Sequence, residues 1–175
     1  MLKKYDKFVE NLNMINLILL IGLSGSGKST WIKNNKSKWI NTIVICPDEI
    51  RKELTGNVSD QSKNKEVFEL TKMLTIYNLK KGNNVVLDAT NLDTVYRIPF
   101  VNDVNKEVKF NKISLVFYVS KEEAKQRIKK DIENNIDRAN VPDDIIDAQY
   151  QKYINSLKSL PEEGFKIVTS WNEDQ

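Results

Sequence analysis

The chain has 175 residues, 40% hydrophobic and 29% charged, with a net charge of +3, as expected of a globular chain large enough to bury a core in one domain. It has no histidine and one cysteine, Cys46. That excludes an intrachain disulfide, Ser-His-Asp and Cys-His machinery and most zinc sites, and leaves proton transfer to Asp, Glu, Lys or Tyr.

Residues 1–15 read as a lead-in, with Tyr5, Phe8, Val9 and Leu12 at helical spacing. Asp6 and Glu10 interrupt the early lysines, and no apolar run approaches the ~18 residues of a membrane span. A signal peptide and a membrane partner are therefore not expected, and the cytoplasm is the expected location.

Leu17–Ile21 is an apolar run that predicts a buried strand. It leads into Gly22-Leu23-Ser24-Gly25-Ser26-Gly27-Lys28-Ser29, which fits G-x-x-x-x-G-K-[ST], the phosphate-binding P-loop. Glycines at these places let backbone N–H groups close around phosphate oxygens. The helix that follows, through Thr30 to about Asn35, aims its free N–H groups at the same anion. The pattern predicts that Gly22, Ser24, Gly25, Ser26, Gly27, Lys28, Ser29 and Thr30 hold the phosphates of ATP or another NTP. Lys28 would reach the β- and γ-phosphates, and Ser29 would ligate Mg²⁺. A Gly/Ser-rich turn with a chance Lys and Ser is the plain alternative. The apolar run before the loop and the unbroken helical stretch after it argue against that.

Ile43–Ile45 predicts a second strand. Pro47 opens a helix with Asp48 and Glu49 in its first turn, and Gly56 ends it. After a loop at 57–62, Val67, Leu70, Leu74 and Tyr77 step along one helical face to Lys80. Val85–Leu87 is a third strand, with Asp88 at its carboxyl end. Asp93 or Thr94 starts a helix to about Asn105, and Ile113–Val119 is a fourth strand. Ser120 and Glu123 form a capping box for a helix that should bury Ala124, Ile128 and Ile132. Residues 134–141 are polar and irregular. Pro142 starts a helix that shares Ile146, Tyr150, Tyr153 and Leu157 on one face, and Phe165–Thr169 is the fifth strand.

Alternating strands and helices predict an α/β chain with the P-loop NTPase fold. We expect a mainly parallel sheet of about five strands with helices on both faces. The expected organisation is one domain over 1–175 with a small lid at about 127–142. Ligands of such folds gather at the carboxyl ends of the strands. The P-loop, Asp48 and Asp88 all fall there.

Asp48 and Arg51 lie three apart on one helical face. The carboxylate could accept a hydroxyl proton while the guanidinium grips a substrate phosphate. An acidic first turn with an ordinary ion pair is the alternative. Asp88 can hold Mg²⁺ through water, or orient Arg51 or the acceptor; a turn-capping Asp is the plain reading. Arg127 and Arg138 flank the irregular stretch, where a lid could close an arginine onto phosphates. Helix-surface and loop charges are the corresponding bland readings. Only four basic residues are Arg: Arg51, Arg97, Arg127 and Arg138. Planar bidentate phosphate binding is a reason to keep Arg in a Lys-rich chain. Arg97 reads as structural or at the edge of the substrate site, and Trp31, Trp39 and Trp171 as packing.

Four motifs in this order resemble the phage-type polynucleotide 5′-hydroxyl kinases: Gly-x-Ser-Gly-Ser-Gly-Lys-Ser-Thr-Trp from Gly22, Pro-Asp-Glu-Ile-Arg from Pro47, Asp-Ala-Thr-Asn-Leu from Asp88, and Arg-x-x-x-Pro from Arg138. The resemblance runs from Leu17 to about Leu157. It implies that Asp48 is the general base and that Arg51 contacts the acceptor's 3′-phosphate. It also implies that Asp88 is an essential site aspartate and Arg138 a lid residue on the donor phosphates. It further implies ATP and Mg²⁺ as cofactors, a 5′-hydroxyl nucleic acid end as substrate and a ligase as functional partner. No D-x-D motif occurs, so the phosphatase half that can accompany such kinases is not expected. A kinase for a small metabolite, nucleoside or activated sugar stays open, as does a nucleotide-dependent switch or ATPase without acceptor chemistry.

Overall fold

The structure, a computed structural model, describes residues 15–134, 136 and 141–170. Strand β1 (Asn16–Ile21) enters the P-loop, and helix α1 (Lys28–Asn35) follows. Next come β2 (Thr42–Ile45), α2 (Pro47–Thr55), α3 (Asn64–Lys80) and β3 (Asn84–Leu87). The rest is α4 (Thr94–Glu107), β4 (Asn111–Phe117), α5 (Lys121–Glu133), α6 (Asp143–Ser159) and β5 (Lys166–Ser170). The lead-in at 1–14 and Trp171 lie outside the described residues.

All five strands run parallel in the order β2-β3-β1-β4-β5. β1 is buried along its whole length, as a central parallel strand covered on both faces must be. Side chains alternate across it. Leu17, Leu19 and Ile21 join the core beneath α3, α4, α5 and α6, while Ile18 and Leu20 join a smaller one with Ile32 and Trp31 of α1. Trp31 packs on Trp39 at 5.2 Å and meets Phe117 edge-on at 5.8 Å, so both tryptophans serve packing as expected. Among the described residues no helix is long and apolar enough to cross a membrane.

The buried face of α3 differs from the expected one. Val67, Thr71, Thr75 and Leu79 turn inward, and Leu70 is partly buried, while Leu74 and Tyr77 are exposed. The threonines can go inside because each hydroxyl donates to the carbonyl one turn back, Thr71 to Val67 at 2.7 Å and Thr75 to Thr71 at 2.8 Å. The polar atom is satisfied within the helix and the methyl is free to pack. On α5, Ala124 and Ile128 are buried but Ile132 is exposed. The Ser120 hydroxyl caps the Glu123 N–H at 3.1 Å, while the Glu123 carboxylate turns to Arg127.

Arg97 is the main polar tie of the core. It is 4% exposed, and each of its five N–H bonds has an acceptor. Nε and one NH2 hydrogen go to Glu163, NH1 goes to the Asn91 carbonyl and Ser156 Oγ, and NH2 also goes to Ser159 Oγ. The guanidinium so joins the turn after β3, the end of α6 and the approach to β5. The structural reading of Arg97 holds, and the residue also lines a second cavity. Burial alone would raise the Glu163 carboxyl, but the bonds from Arg97 and Ser159 outweigh it and hold it below its ordinary value.

Breaking this pair leaves a buried guanidinium without its counter-charge. Glu163→Ala is expected to cost about 3–5 kcal/mol at neutral pH, measured by urea unfolding. A depressed carboxylate stabilises the fold above its unfolded-state pKa and loses that contribution as pH falls through the folded one. Wild type should therefore weaken in acid in that window, and the variant should lack that part of the pH slope.

Candidate active site

The chain leaves β1 through Gly22, and the P-loop closes on the start of α1. Gly25 has φ +79°, and a Cβ there would meet the Ala124 carbonyl oxygen at 2.7 Å. Only glycine gives both the turn and the close approach to α5. Lys28 is buried inside its own loop. Its Nζ donates to the Gly22 carbonyl at 3.0 Å, the Leu23 carbonyl at 2.6 Å and Ser26 Oγ at 3.3 Å. The cation is thus held at the floor of the loop, where it favours an anion above it.

The loop forms one side of a cavity of about 860 Å³. Ser24, Gly25, Gly27, Lys28, Ser29 and Thr30 line it from the P-loop. Asp48 comes from the first turn of α2, Asp88 from the end of β3 and Arg127 from α5. Gly22 and Ser26 sit buried behind the lining. The sequence-predicted residues that the structure describes therefore gather around one space, apart from Arg51. Arg138 lies outside the described residues, as does most of 135–140. The expected lid begins inside regular helix, since 127–133 belong to α5.

Ser29 Oγ donates to Asp88 Oδ2 at 3.0 Å. Burial pushes the Asp88 carboxyl up, while the Ser29 hydroxyl and the Lys28 charge pull it down. A hydroxyl and a carboxylate side by side at the P-loop suit Mg²⁺, a hard cation held by a few protein oxygens together with substrate phosphate. Among the described residues no cluster of three or more His, Cys, Asp or Glu could hold a metal, and Mg²⁺ of this kind requires none. Cys46 also lines the cavity. Burial pushes its thiol up to about 11, so it stays protonated and is a poor nucleophile.

Asp48 and Arg51 form the expected ion pair, but they face different spaces. Asp48 is exposed in the first cavity. Arg51 lines a second cavity of about 540 Å³ between α2, α3, α4 and the turn after β3. The two cavities share Ala89 and Thr90. Arg51 NH2 donates to Asn64 Oδ1 at 3.2 Å, while its Nε is buried with no acceptor. Arg127 reaches across the P-loop. It pairs with Glu123, and its NH1 lies 3.5 Å from the Gly25 carbonyl.

Sequence reasoning left two residues without a role. Asn91 sits at φ +50°, and its Nδ2 is shared among the carbonyls of Leu20, Leu87 and Ala89. It folds the turn after Asp88 and ties it to β1. Gln149 is the second. Its Oε1 accepts the Ser24 N–H at 2.9 Å and its Nε2 donates to Ser24 Oγ at 3.2 Å. This paired contact fastens the P-loop to α6. The one signal was a polar residue beside the apolar stripe of Ile146, Tyr150 and Tyr153.

Gln149→Ala removes both contacts to Ser24 and leaves the core of α6 in place. Nucleotide affinity is expected to fall by at most about 5- to 150-fold, since the two neutral hydrogen bonds are worth roughly 0.5–1.5 kcal/mol each. Titration calorimetry with ATP reads that loss, and an unchanged melting temperature shows that the fold is kept.

No curated protein matches the sequence. Among solved structures, the chain is similar to one in the Pnkp1/Rnl/Hen1 RNA repair complex, with TM-score 0.73 and 22% identity over 86% of this chain and 48% of that one. It thus spans about half the length of that relative. It is similar to a gluconokinase from Sinorhizobium meliloti, with TM-score 0.52 and 15% identity over 90% of this chain and 84% of the other. It is also similar to the APS kinase CysC of Mycobacterium tuberculosis, with TM-score 0.53 and 20% identity over 83% and 99%. At these identities the likeness is one of fold, and the fold is the α/β P-loop fold. The family described as AAA domain matches residues 17–155, and the chain belongs to it.

Proposed function

We propose that this chain is an ATP-dependent kinase that transfers the γ-phosphoryl group to a 5′-hydroxyl of DNA or RNA. One observation carries the reading. Asp48 and Arg51 are paired with each other, yet one lines the phosphate-loop cavity and the other lines the adjoining cavity. A substrate seated in the second cavity would meet a guanidinium first and a carboxylate next, on the way to the P-loop.

In this reading the triphosphate lies along the P-loop with Lys28 at the β- and γ-phosphates. Ser29 and Asp88 hold Mg²⁺, which neutralises phosphate charge when bound. Asp48 accepts the proton of the acceptor's 5′-hydroxyl. The new O–P bond forms in line as the bond from the γ-phosphorus to the β–γ bridging oxygen breaks, and that electron pair leaves on ADP. Lys28, Arg127 and Arg138 offset the charge that builds on the transferring group. Arg127 is within reach of the loop but paired with Glu123. A nucleotide would therefore compete with Glu123 for it.

The motif order from Gly22 to Pro142 supports the same reading, as does the likeness to a chain of an RNA repair complex. The product is a 5′-phosphate end, the chemistry that a ligase consumes, so we propose a ligase as functional partner. The same fold serves small-metabolite kinases such as the gluconokinase above. The acceptor side must therefore separate the two classes.

A 5′-hydroxyl in nucleic acid always has a phosphate on its own 3′ side, and Arg51 would hold it bidentately. Such a contact is worth roughly 1.5–3 kcal/mol, or about 10- to 150-fold in kcat/KM. Wild type should prefer a nucleoside 3′-phosphate over the plain nucleoside by that factor, and Arg51→Ala should erase most of the preference. Equal use of both by wild type would move the reading to a small-metabolite kinase.

A further inference from the structure

We propose that Glu123 is a built-in competitor of the nucleotide for Arg127, so that its carboxylate weakens phosphate binding at the P-loop. The inference rests on the reading of the P-loop as a triphosphate site and on no particular acceptor.

The helix that carries the pair is fixed against the loop. α5 comes so close that a Cβ at Gly25 would meet the Ala124 carbonyl oxygen at 2.7 Å and Ile128 Cγ1 at 3.2 Å. Ala124 and Ile128 are both buried. Arg127 leaves the helix beside Ile128, and its NH1 stands 3.7 Å from where a Cβ on Gly27 would be. The guanidinium therefore lies against the stretch of loop whose backbone N–H groups would face an anion. It also lines the P-loop cavity.

Both ends of the guanidinium fork are engaged. NH2 donates to Glu123 Oε1, and NH1 lies 3.5 Å from the Gly25 carbonyl oxygen. Glu123 precedes Arg127 by four residues, the spacing at which side chains of a helix meet. Its backbone is tied separately, because its N–H donates to the Ser120 hydroxyl at 3.1 Å. Glu123 is not part of the cavity lining. Its effect on a nucleotide must therefore pass through Arg127 or through its charge alone.

A phosphate gripped by the fork needs two donors side by side. The long NH1 contact with Gly25 is weak and yields easily. The bond to the carboxylate is the stronger hold, so a phosphate gains the whole fork only by taking NH2 from Glu123. Lys28 differs in this respect. It is held by carbonyls of its own loop, whereas Arg127 is held by a carboxylate and can change partners. The side chains of the pair are 37% and 35% exposed. Water screens them, and the pair is worth what a surface ion pair is worth rather than a buried one.

The test is titration calorimetry of the full chain with a non-hydrolysable ATP analogue and Mg²⁺. Wild type, Glu123→Gln, Arg127→Ala and the double variant are compared. Glutamine keeps the shape and the backbone cap and removes the charge. Glu123→Gln should bind the analogue about 2- to 5-fold more tightly, the range of an ion pair at this exposure. Glu123→Ala, the second variant, should shift affinity in the same direction. The double variant should bind no more tightly than Arg127→Ala alone. Loss of a merely structural pair would leave affinity unchanged or lower it, so the sign of the change separates the two roles. Unchanged or weaker affinity in both Glu123 variants would overturn the competition. An equal gain in the Arg127→Ala background would also overturn it, since plain repulsion between carboxylate and phosphate would then account for the effect. If wild type does not bind the analogue, the triphosphate reading of the P-loop has itself failed and the competition falls with it.

Discussion

β1 lies at the centre of the sheet, with β3 on one side and β4 on the other, both parallel to it. Parallel pairing makes every strand end at the same edge. The P-loop after β1, the Cys46–Pro47 entry to α2 after β2 and the Asp88 turn after β3 are therefore neighbours before any side chain is considered. Asn91 and the Gly22 amide then tighten the contact. Asn91 Nδ2 reaches the Leu20 carbonyl at 2.9 Å, and Gly22 N–H donates to the Thr90 carbonyl at 3.3 Å. The Ser29–Asp88 contact follows from that stitching.

The P-loop was legible in the sequence because its geometry is local. Eight consecutive residues set the loop, and the apolar run before them set its strand. The placement of Asp48 and Asp88 beside the P-loop cavity was legible because each follows a strand, and parallel topology gathers the strand ends at one edge. Other features depended on tertiary partners. The inward face of α3 was hidden because Thr71 and Thr75 satisfy their hydroxyls on their own helix, so the hydrophobic pattern pointed to Leu74 and Tyr77. The five bonds of Arg97 reach as far as Glu163, 66 residues on, and no spacing rule anticipates that. Gln149 meets Ser24 across 125 residues. The second cavity exists only once α2, α3 and α4 are packed together. It was invisible in one dimension, although Arg51 on its wall was not.

In the proposed reading, the donor and acceptor sides carry different information. The P-loop, Lys28 and the Ser29–Asp88 contact belong to the phosphate-binding part of the P-loop fold. What can distinguish the acceptor lies on the other side of the Asp48–Arg51 pair. There Val67, Phe68, Leu87, Leu92 and Phe100 line a cavity together with polar residues, and a buried guanidinium nitrogen of Arg51 has no acceptor.

The most direct measurement is transfer of labelled γ-phosphate by the purified chain with Mg²⁺. The acceptors would be a 5′-hydroxyl oligonucleotide, a plain nucleoside and a sugar acid, with Asp48→Asn run alongside. The account predicts label on the 5′ end of the oligonucleotide, little on the nucleoside and none on the sugar acid. It also predicts a fall in kcat of about 10²–10⁴-fold for Asp48→Asn. Label passing to the sugar acid alone, or released as inorganic phosphate whatever acceptor is present, would contradict it.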